Sequence, residues 1–416
     1  MTVAARNRRV RRVLLRMAAY IAVSATAASC ATIRTHGSGL GSPTTISHQF
    51  TSTLAGNGGK LTAPPVTPAC SPEALLDNWS ISSRAAQLII VPAQEDNVGT
   101  ATPEVAMGAG GIILFGSQAP TSLRLNITTL DQSALGGIKP LVMTDEEGGE
   151  IQRMANLVGN MPWPRTMTSS MSLSEVQSLA TTTATKMRAS GVTMDLAPVL
   201  DLSDSPGPNA QYPDGPRSFS TNPSIATSYG LAFAQGLEAG GVIPVVKHFP
   251  GLGQATGNTD DEEASVPAVP ILQQSALLPF QAAIEGHLPA IMVSNASITG
   301  LTNGQPASLS SAAITGLLRD KLGFSGLVMT DSLSALSISD MGYSVPQAAV
   351  AAIAAGADMI MYNSDNPLLT FTQTLDAIVS AVASGTIPTS RFNYAVEKVL
   401  AIKGVNVCPK VSTYDG

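Results

Sequence analysis

The chain has 416 residues, of which 44% are hydrophobic and 12% charged, so it can bury a large core. This length fits one barrel-sized domain with extensions better than two ordinary domains. The net charge of -6 at pH 7 disfavours nucleic acid and other polyanions as partners, and a neutral substrate fits better.

The first thirty residues are expected to be an export signal rather than part of the fold. Six arginines from Arg6 to Arg16 form a basic region, and the apolar stretch 17–28 that follows is too short to span a bilayer. The tetrapeptide AASC at 27–30 resembles a bacterial lipobox, in which the cysteine is acylated. We therefore expect lipidation at Cys30, which would anchor the protein at the outer face of the cytoplasmic membrane or in the cell wall. An ordinary cleaved signal that ends near a cysteine is the alternative.

Residues 31–70 are rich in Ser, Thr, Gly and Pro and lack apolar periodicity, which is typical of a flexible linker. The folded domain is predicted to occupy residues 71–416. Cys70 lies just before it and Cys408 follows its last predicted helix. In an oxidising compartment these two residues are expected to form a disulfide, and two unrelated buried thiols are the alternative.

Between residues 71 and 403, eight apolar runs rich in β-forming residues alternate with Ala-rich helical stretches. The runs begin at Gln87, Gly111, Pro140, Val192, Val242, Pro289, Gly326 and Ala357. Eight such β/α units predict a (β/α)8 TIM barrel that forms a single catalytic domain. A doubly wound open sheet is the alternative, but it would need its polar strand ends clustered at one switch point.

Polar side chains stand at the ends of several of these predicted strands, where α/β barrels build active sites. Strand three is followed by DEEGG from Asp145, strand four ends at Asp201, strand five carries Lys247 and His248, and strand seven carries Asp331. Any one of them could be a capping carboxylate or half of a buried ion pair. Their convergence on one rim instead predicts an active site.

The motifs TDEEGGEIQR, LAPVLDL, PRSF, KHFPGLG and GLVMTDSLS together resemble those of glycoside hydrolase family 3, in particular its single-domain bacterial β-N-acetylhexosaminidases. The resemblance runs from about residue 71 to residue 403. It implies that Asp331 is the nucleophile. It further implies that the sugar-binding residues are Asp145, Arg153, Arg217, Lys247 and His248. The residue types agree, because a carboxylate can attack an anomeric carbon and charged side chains can hold sugar hydroxyls.

One motif departs from the family pattern, which usually reads KHFPGHG and is followed by an Asp-Ser-His triplet that supplies the general acid/base. Here Leu252 replaces the first of these histidines, and gapless counting places the triplet on Asn258, Thr259 and Asp260. A carboxylate can serve as the acid if bound substrate raises its pKa by desolvation, so Asp260 is the first candidate. Its rivals are Asp261, Glu262 and Glu263. The alternative is that this acidic cluster is a solvated loop and the acid lies elsewhere.

The sequence therefore predicts an exported retaining glycosidase that removes terminal β-linked N-acetylglucosamine through a covalent glycosyl-enzyme, without a metal or organic cofactor. Compartment and family together indicate peptidoglycan fragments as the GlcNAc-containing substrates. A β-glucosidase-like member of the family is one alternative. A non-catalytic wall-glycan-binding lipoprotein is another, although the intact Asp331 argues against it. Phosphate could also replace water as the glycosyl acceptor.

Overall fold

The computed structural model describes residues 79–405. The predictions for the export signal, the linker, lipidation at Cys30 and the Cys70–Cys408 disulfide lie outside these residues. Between residues 79 and 405, no helix is both long and apolar enough to cross a membrane.

Eight parallel strands close into one barrel, each hydrogen-bonded to the strands before and after it in the chain. The circle closes where Ile89 of the first strand pairs with Ile360 of the last. The strands are β1 Ile89–Gln94, β2 Gly111–Phe115, β3 Leu141–Thr144, β4 Met194–Asp195, β5 Ile243–Phe249, β6 Ala290–Val293, β7 Leu327–Ser332 and β8 Met359–Met361. The TIM barrel prediction is confirmed, and the open-sheet alternative is excluded.

The described α-helices surround the barrel and follow the predicted alternation. They are Ile81–Ala86, Thr102–Ala106, Leu123–Asp131, Ala155–Val158, Pro164–Ser170, Leu173–Ala189, Pro223–Ala239, Val269–Leu272, Leu277–Glu285, Leu336–Ser339, Val345–Ala355, Pro367–Ala383 and Thr389–Ile402. A π-helix spans Ala312–Lys321, and 3-10 turns span Val98–Ala101, Leu135–Gly137, Gly215–Arg217 and Ala307–Leu309. Since the strands are buried on both faces, they read as continuous apolar runs.

Two of the helices show how this sequence allows close packing around the barrel. Leu173–Ala189 begins at a capping box in which Ser172 and Glu175 satisfy each other's backbone N–H groups. Pro223–Ala239 crosses it at short range, because a Cβ on Gly236 would lie only 2.5 Å from the backbone oxygen of Gln177. A larger residue at 236 would therefore push the two helices apart.

Strand four is shorter than predicted, and this difference shapes the site. The run from Val192 to Asp201 pairs as a strand only over Met194–Asp195. Pro198 has no N–H to donate to a ladder, which limits the pairing of this segment. The chain then rejoins β5 through a single bridge between Val199 and Lys247. That bridge brings Asp201 beside the polar end of β5.

Candidate active site

A buried carboxylate, Glu147, links two cations at the C-terminal end of the barrel. The Arg217 guanidinium contacts it at two points, with Nε 2.8 Å from Oε2 and a terminal nitrogen 2.7 Å from Oε1. The Lys247 ammonium lies 2.7 Å from Oε1. Burial alone would raise the pKa of Glu147, but Arg217 and Lys247 hold it well below its usual range. Glu147 is therefore ionised and fixes both cations in place.

Lys247 also reaches the carboxylate that follows β3. Its Nζ lies 2.7 Å from Oδ1 of Asp145, and the Arg153 guanidinium lies 4.0 Å from the other oxygen, over the ring of Phe115. Burial lowers the pKa of Lys247, but Asp145 and Glu147 outweigh that effect and raise it. The structure thus brings Asp145, Arg153, Arg217 and Lys247 into one charged network, which we call the clamp together with Glu147.

A tight hairpin carries Arg153 back towards Asp145. Its strands Glu146–Gly148 and Ile151–Gln152 are antiparallel, and Gly149 between them has φ +62°. A Cβ on Gly149 would lie 1.9 Å from the Trp163 ring, so only glycine fits there.

The Glu146 carboxylate accepts hydrogen bonds from the Met154 N–H and, at 3.0 Å, from the Gln152 amide. Burial raises the pKa of Glu146 to about 7.

Asp201 binds the imidazole ring of His248. Its Nδ1 lies 2.6 Å from Oδ2 of Asp201. The backbone N–H of His248 donates to the same oxygen, and the backbone N–H of Leu252 donates to Oδ1. Burial, assisted by Arg217, lowers the pKa of His248 to about 4, so the ring is neutral at pH 7. From this hydrogen-bond network we assign the ring proton to Nδ1, which leaves Nε2 as an acceptor.

Asp331 stands at the end of β7 with its carboxylate partly exposed. Its Oδ1 accepts the backbone N–H of Ser332 at 2.7 Å. Burial raises the pKa of Asp331, the positive charge of Lys247 lowers it, and the negative charge of Asp260 raises it again. Asp331 therefore interacts electrostatically with both the clamp side of the site and the loop after β5.

That loop is docked against the segment following β7. The backbone N–H groups of Leu336 and Ser337 donate to the carbonyl oxygens of Asp260 and Thr259, at 3.2 and 3.1 Å. The Asp260 side chain is exposed, and its charge acts on Asp331. Glu263 lines a polar cavity of about 210 Å³. The docking brings Asp260 towards the nucleophile candidate.

Three buried acids in the site were not assigned a role from the sequence. Glu147 lies inside the DEEGG motif, which is the sequence signal that points to it, and the sequence predicts Asp201 only as a strand end. Asp214 carries no sequence signal. It is fully buried, and neither of its oxygens accepts from a donor group among residues 79–405.

Possible ligand atoms of Asp201, Asp214 and His248 lie within 4.8 Å of one another, a grouping that can hold a metal ion. However, the oxygens of Asp201 are already occupied by N–H donors, and the Arg217 charge acts on both carboxyls. The arrangement fits a shared proton better than a cation.

Comparison with known proteins gives one family. The model described as glycosyl hydrolase family 3 N terminal domain matches residues 80–402. The β-hexosaminidase LpqI of Mycobacterium tuberculosis is 32% identical over 394 residues, which cover 93% of this chain and 97% of LpqI. The solved structure of M. tuberculosis LpqI matches with a TM-score of 0.73 at 30% identity, covering 81% of this chain and 97% of that one.

Two further relatives extend the comparison. The crystal structure of a β-N-acetylhexosaminidase from Beutenbergia cavernae matches with a TM-score of 0.72 at 29% identity, over 79% of this chain and 99% of that one. An uncharacterized secreted glycosyl hydrolase from Arthroderma benhamiae is 30% identical over 319 residues, which cover 71% of this chain and 84% of the relative.

Proposed function

The chain belongs to glycoside hydrolase family 3, and on that premise we propose that it is an exported, retaining β-N-acetylglucosaminidase. Its substrate is a carbohydrate with a terminal β-linked N-acetylglucosamine. The names of LpqI and of the B. cavernae protein support this choice of sugar. The observation that carries the mechanism is that Asp331 stands at the end of β7, just before a segment that is hydrogen-bonded to the Asp260 loop.

In the proposed first step, the clamp holds the hydroxyls of the terminal sugar. Lys247 and Arg217 donate hydrogen bonds, while Asp145 and the Nε2 atom of neutral His248 accept them. Asp331 then attacks the anomeric carbon, and the bond to the leaving oxygen breaks. The leaving oxygen takes its proton from Asp260. The products are a covalent glycosyl-enzyme and the shortened glycan.

In the second step, Asp260 removes a proton from water, and the water oxygen replaces the Asp331 ester at the anomeric carbon. Two inversions at one carbon give net retention. The first step requires Asp260 to be protonated, and bound substrate would favour that form by excluding water from an exposed carboxyl. No step of this mechanism requires a metal ion or an organic cofactor.

The proposed location is the outer face of the cytoplasmic membrane or the cell wall, with Cys30 as the lipid-bearing residue. The basic and apolar segments before Cys30 support export, as does the secreted relative from A. benhamiae. Peptidoglycan fragments are the proposed substrates, because they are the N-acetylglucosamine-containing glycans of that compartment.

Release of nitrophenol from matched aryl glycosides tests the activity. The N-acetylglucosaminide should be cleaved far faster than the glucoside, with Asp331→Asn as the inactive control. Faster cleavage of the glucoside would indicate the β-glucosidase alternative. Glycan binding without any turnover would indicate a binding lipoprotein. Parallel reactions in phosphate should yield free sugar, whereas a sugar phosphate would identify phosphate as the acceptor.

A further inference from the structure

Asp214 has no part in the proposed reaction, yet it is fully buried beside the site. It immediately precedes the 3-10 turn Gly215–Arg217 that carries the clamp arginine. Both of its carboxyl oxygens lack a donor group among the described residues. An ionised carboxylate in such a place is strongly unfavourable, because it loses its hydration without gaining a hydrogen-bond donor. Asp214 therefore has to hold a proton or a ligand.

The carboxyl group beside Asp214 is that of Asp201. Oxygens of the two carboxyls lie within 4.8 Å of each other, and the charge of Asp201 acts on Asp214. Asp201 also accepts the backbone N–H groups of His248 and Leu252 and faces Nδ1 of His248, so its other contacts all come from N–H groups that favour the anion. Asp214 has no such donors. The pair therefore holds one proton, and that proton lies on Asp214.

The charges around Asp214 agree with this assignment. Asp201 faces it from the segment after β4, Arg217 from its own turn and His248 from β5. Burial and the negative charge of Asp201 raise the pKa of Asp214, while the Arg217 guanidinium offsets only part of that effect. Two carboxyls this close cannot both ionise easily in an enclosed site.

We propose that Asp214 is a positioning residue: by holding one proton against Asp201, it fixes His248 as the neutral Nδ1–H tautomer, with Nε2 turned into an acceptor for a sugar hydroxyl. Loss of that proton leaves two adjacent carboxylates that repel each other, and Asp201 then moves away from the imidazole. The pair thus sets an alkaline limit on sugar binding. This inference rests on the proposed function only for the choice of substrate in the kinetic test.

The first test reads the tautomer directly by NMR of the full-length protein labelled with ¹⁵N-histidine. The chain has four histidines, so His248→Gln assigns the relevant signal. Wild type should show the Nδ1–H tautomer at neutral pH. Asp201→Asn should show the Nε2–H tautomer, because the asparagine oxygen stays with the Leu252 N–H and its amide then points at Nδ1. Retention of the wild-type tautomer in Asp201→Asn would overturn the proposal.

The second test is the pH dependence of kcat/KM with a dinitrophenyl N-acetylglucosaminide. This leaving group needs little protonation, so titration of the loop acid does not limit the measurement. In wild type, kcat/KM should fall on the alkaline side as the pair loses its proton. In Asp214→Asn the alkaline fall of kcat/KM should shift to higher pH by about one pH unit or more, because the amide donates to Asp201 at every pH. Asp214→Ala offers no donor and should lower kcat/KM more than Asp214→Asn does.

Glu150→Gln, an exposed substitution in the hairpin after β3, is the matched control and should keep the wild-type limb. An unchanged limb in Asp214→Asn would overturn the proposal. A divalent metal that copurifies at one per chain and is absent from Asp214→Asn would also overturn it, since the pair would then hold a cation. If the protein hydrolyses no glycoside, the proposed function fails, while NMR of Asp214→Ala still tests the positioning role: this variant should lose the fixed Nδ1–H tautomer of His248, and an unchanged tautomer would overturn the proposal.

Discussion

The ammonium of Lys247 lies 2.7 Å from Oε1 of Glu147, and both side chains are almost completely enclosed. The two residues are a hundred positions apart in the chain, on β5 and after β3. Because Glu147 also binds Arg217, its single charge is shared by two cations of the clamp.

Removing the lysine should therefore weaken binding of the transition state. Lys247→Ala leaves Asp145 and Glu147 without their shared cation. The fall in kcat/KM should correspond to a loss of roughly 2–5 kcal/mol of transition-state stabilisation. Lys139→Ala is the matched control, because Lys139 is exposed on the surface and pairs with Asp131 there. Steady-state kinetics of both variants provide the check. A loss below about threefold for Lys247→Ala would assign this lysine to the scaffold instead.

The nucleophile assignment predicts a covalent adduct on Asp331. Asp331→Asn should lower kcat by roughly 10⁴-fold or more, because the amide cannot attack the anomeric carbon. A fluorinated glycosyl probe should label wild type but not the variant. Peptide mass spectrometry locates the label, and circular dichroism verifies that the variant is folded. A label on another carboxylate would refute the assignment.

The acid/base assignment predicts a dependence on the leaving group. Asp260→Ala should slow natural disaccharides far more than dinitrophenyl glycosides, because only the former need a proton as they leave. Azide should restore the second step, where water lacks its base. Asp261→Ala, Glu262→Ala and Glu263→Ala are the matched controls and should show neither effect. Equal slowing of both substrate types by Asp260→Ala would place the acid elsewhere on the rim.

Glu146 should make stability depend on pH. Its folded pKa is raised to about 7 by burial, above an unfolded value near 4.3, so the folded state binds the proton more tightly. The stabilisation is complete below about pH 4 and is lost as pH rises towards 7, by roughly 3–4 kcal/mol. Glu146→Gln should remove this dependence, so wild type should lose stability relative to the variant between pH 4.5 and 7.

Urea unfolding at several pH values measures this difference for Glu146. The exposed Glu150→Gln in the same hairpin is the control and should follow wild type. A constant difference between wild type and Glu146→Gln over this range would show that the Glu146 carboxyl does not titrate there.

Anchoring and the disulfide remain predictions about residues outside 79–405. Cys30→Ala should move the protein from the membrane fraction to the soluble or secreted fraction, because the acyl chain holds it through buried CH₂ groups. Non-reducing peptide mapping should find Cys70 joined to Cys408. Free thiols at both positions in protein from an oxidising compartment would exclude the bridge, and membrane retention of Cys30→Ala would exclude the anchor.

The barrel could be predicted from the sequence because strands buried on both faces require continuous apolar runs, and this requirement is visible locally. The eight predicted runs correspond to the eight strands. The strand predicted from Val192 is too long, since regular pairing ends at Asp195 while the apolar pattern continues to Leu200. The location of Lys247, His248 and Asp331 at the strand ends followed from the same pattern.

The sequence by itself determined the fold, the family resemblance and the rim where the charged residues meet. Only the tertiary structure decided how they pair: Glu147 between Lys247 and Arg217, and Asp214 against Asp201 behind His248. The physical reason is that the burial pattern and the residue types can be read from neighbouring positions in the sequence. Hydrogen-bond partners separated by 70 or 100 positions, and the pKa values that follow from them, depend on distances set when the barrel closes.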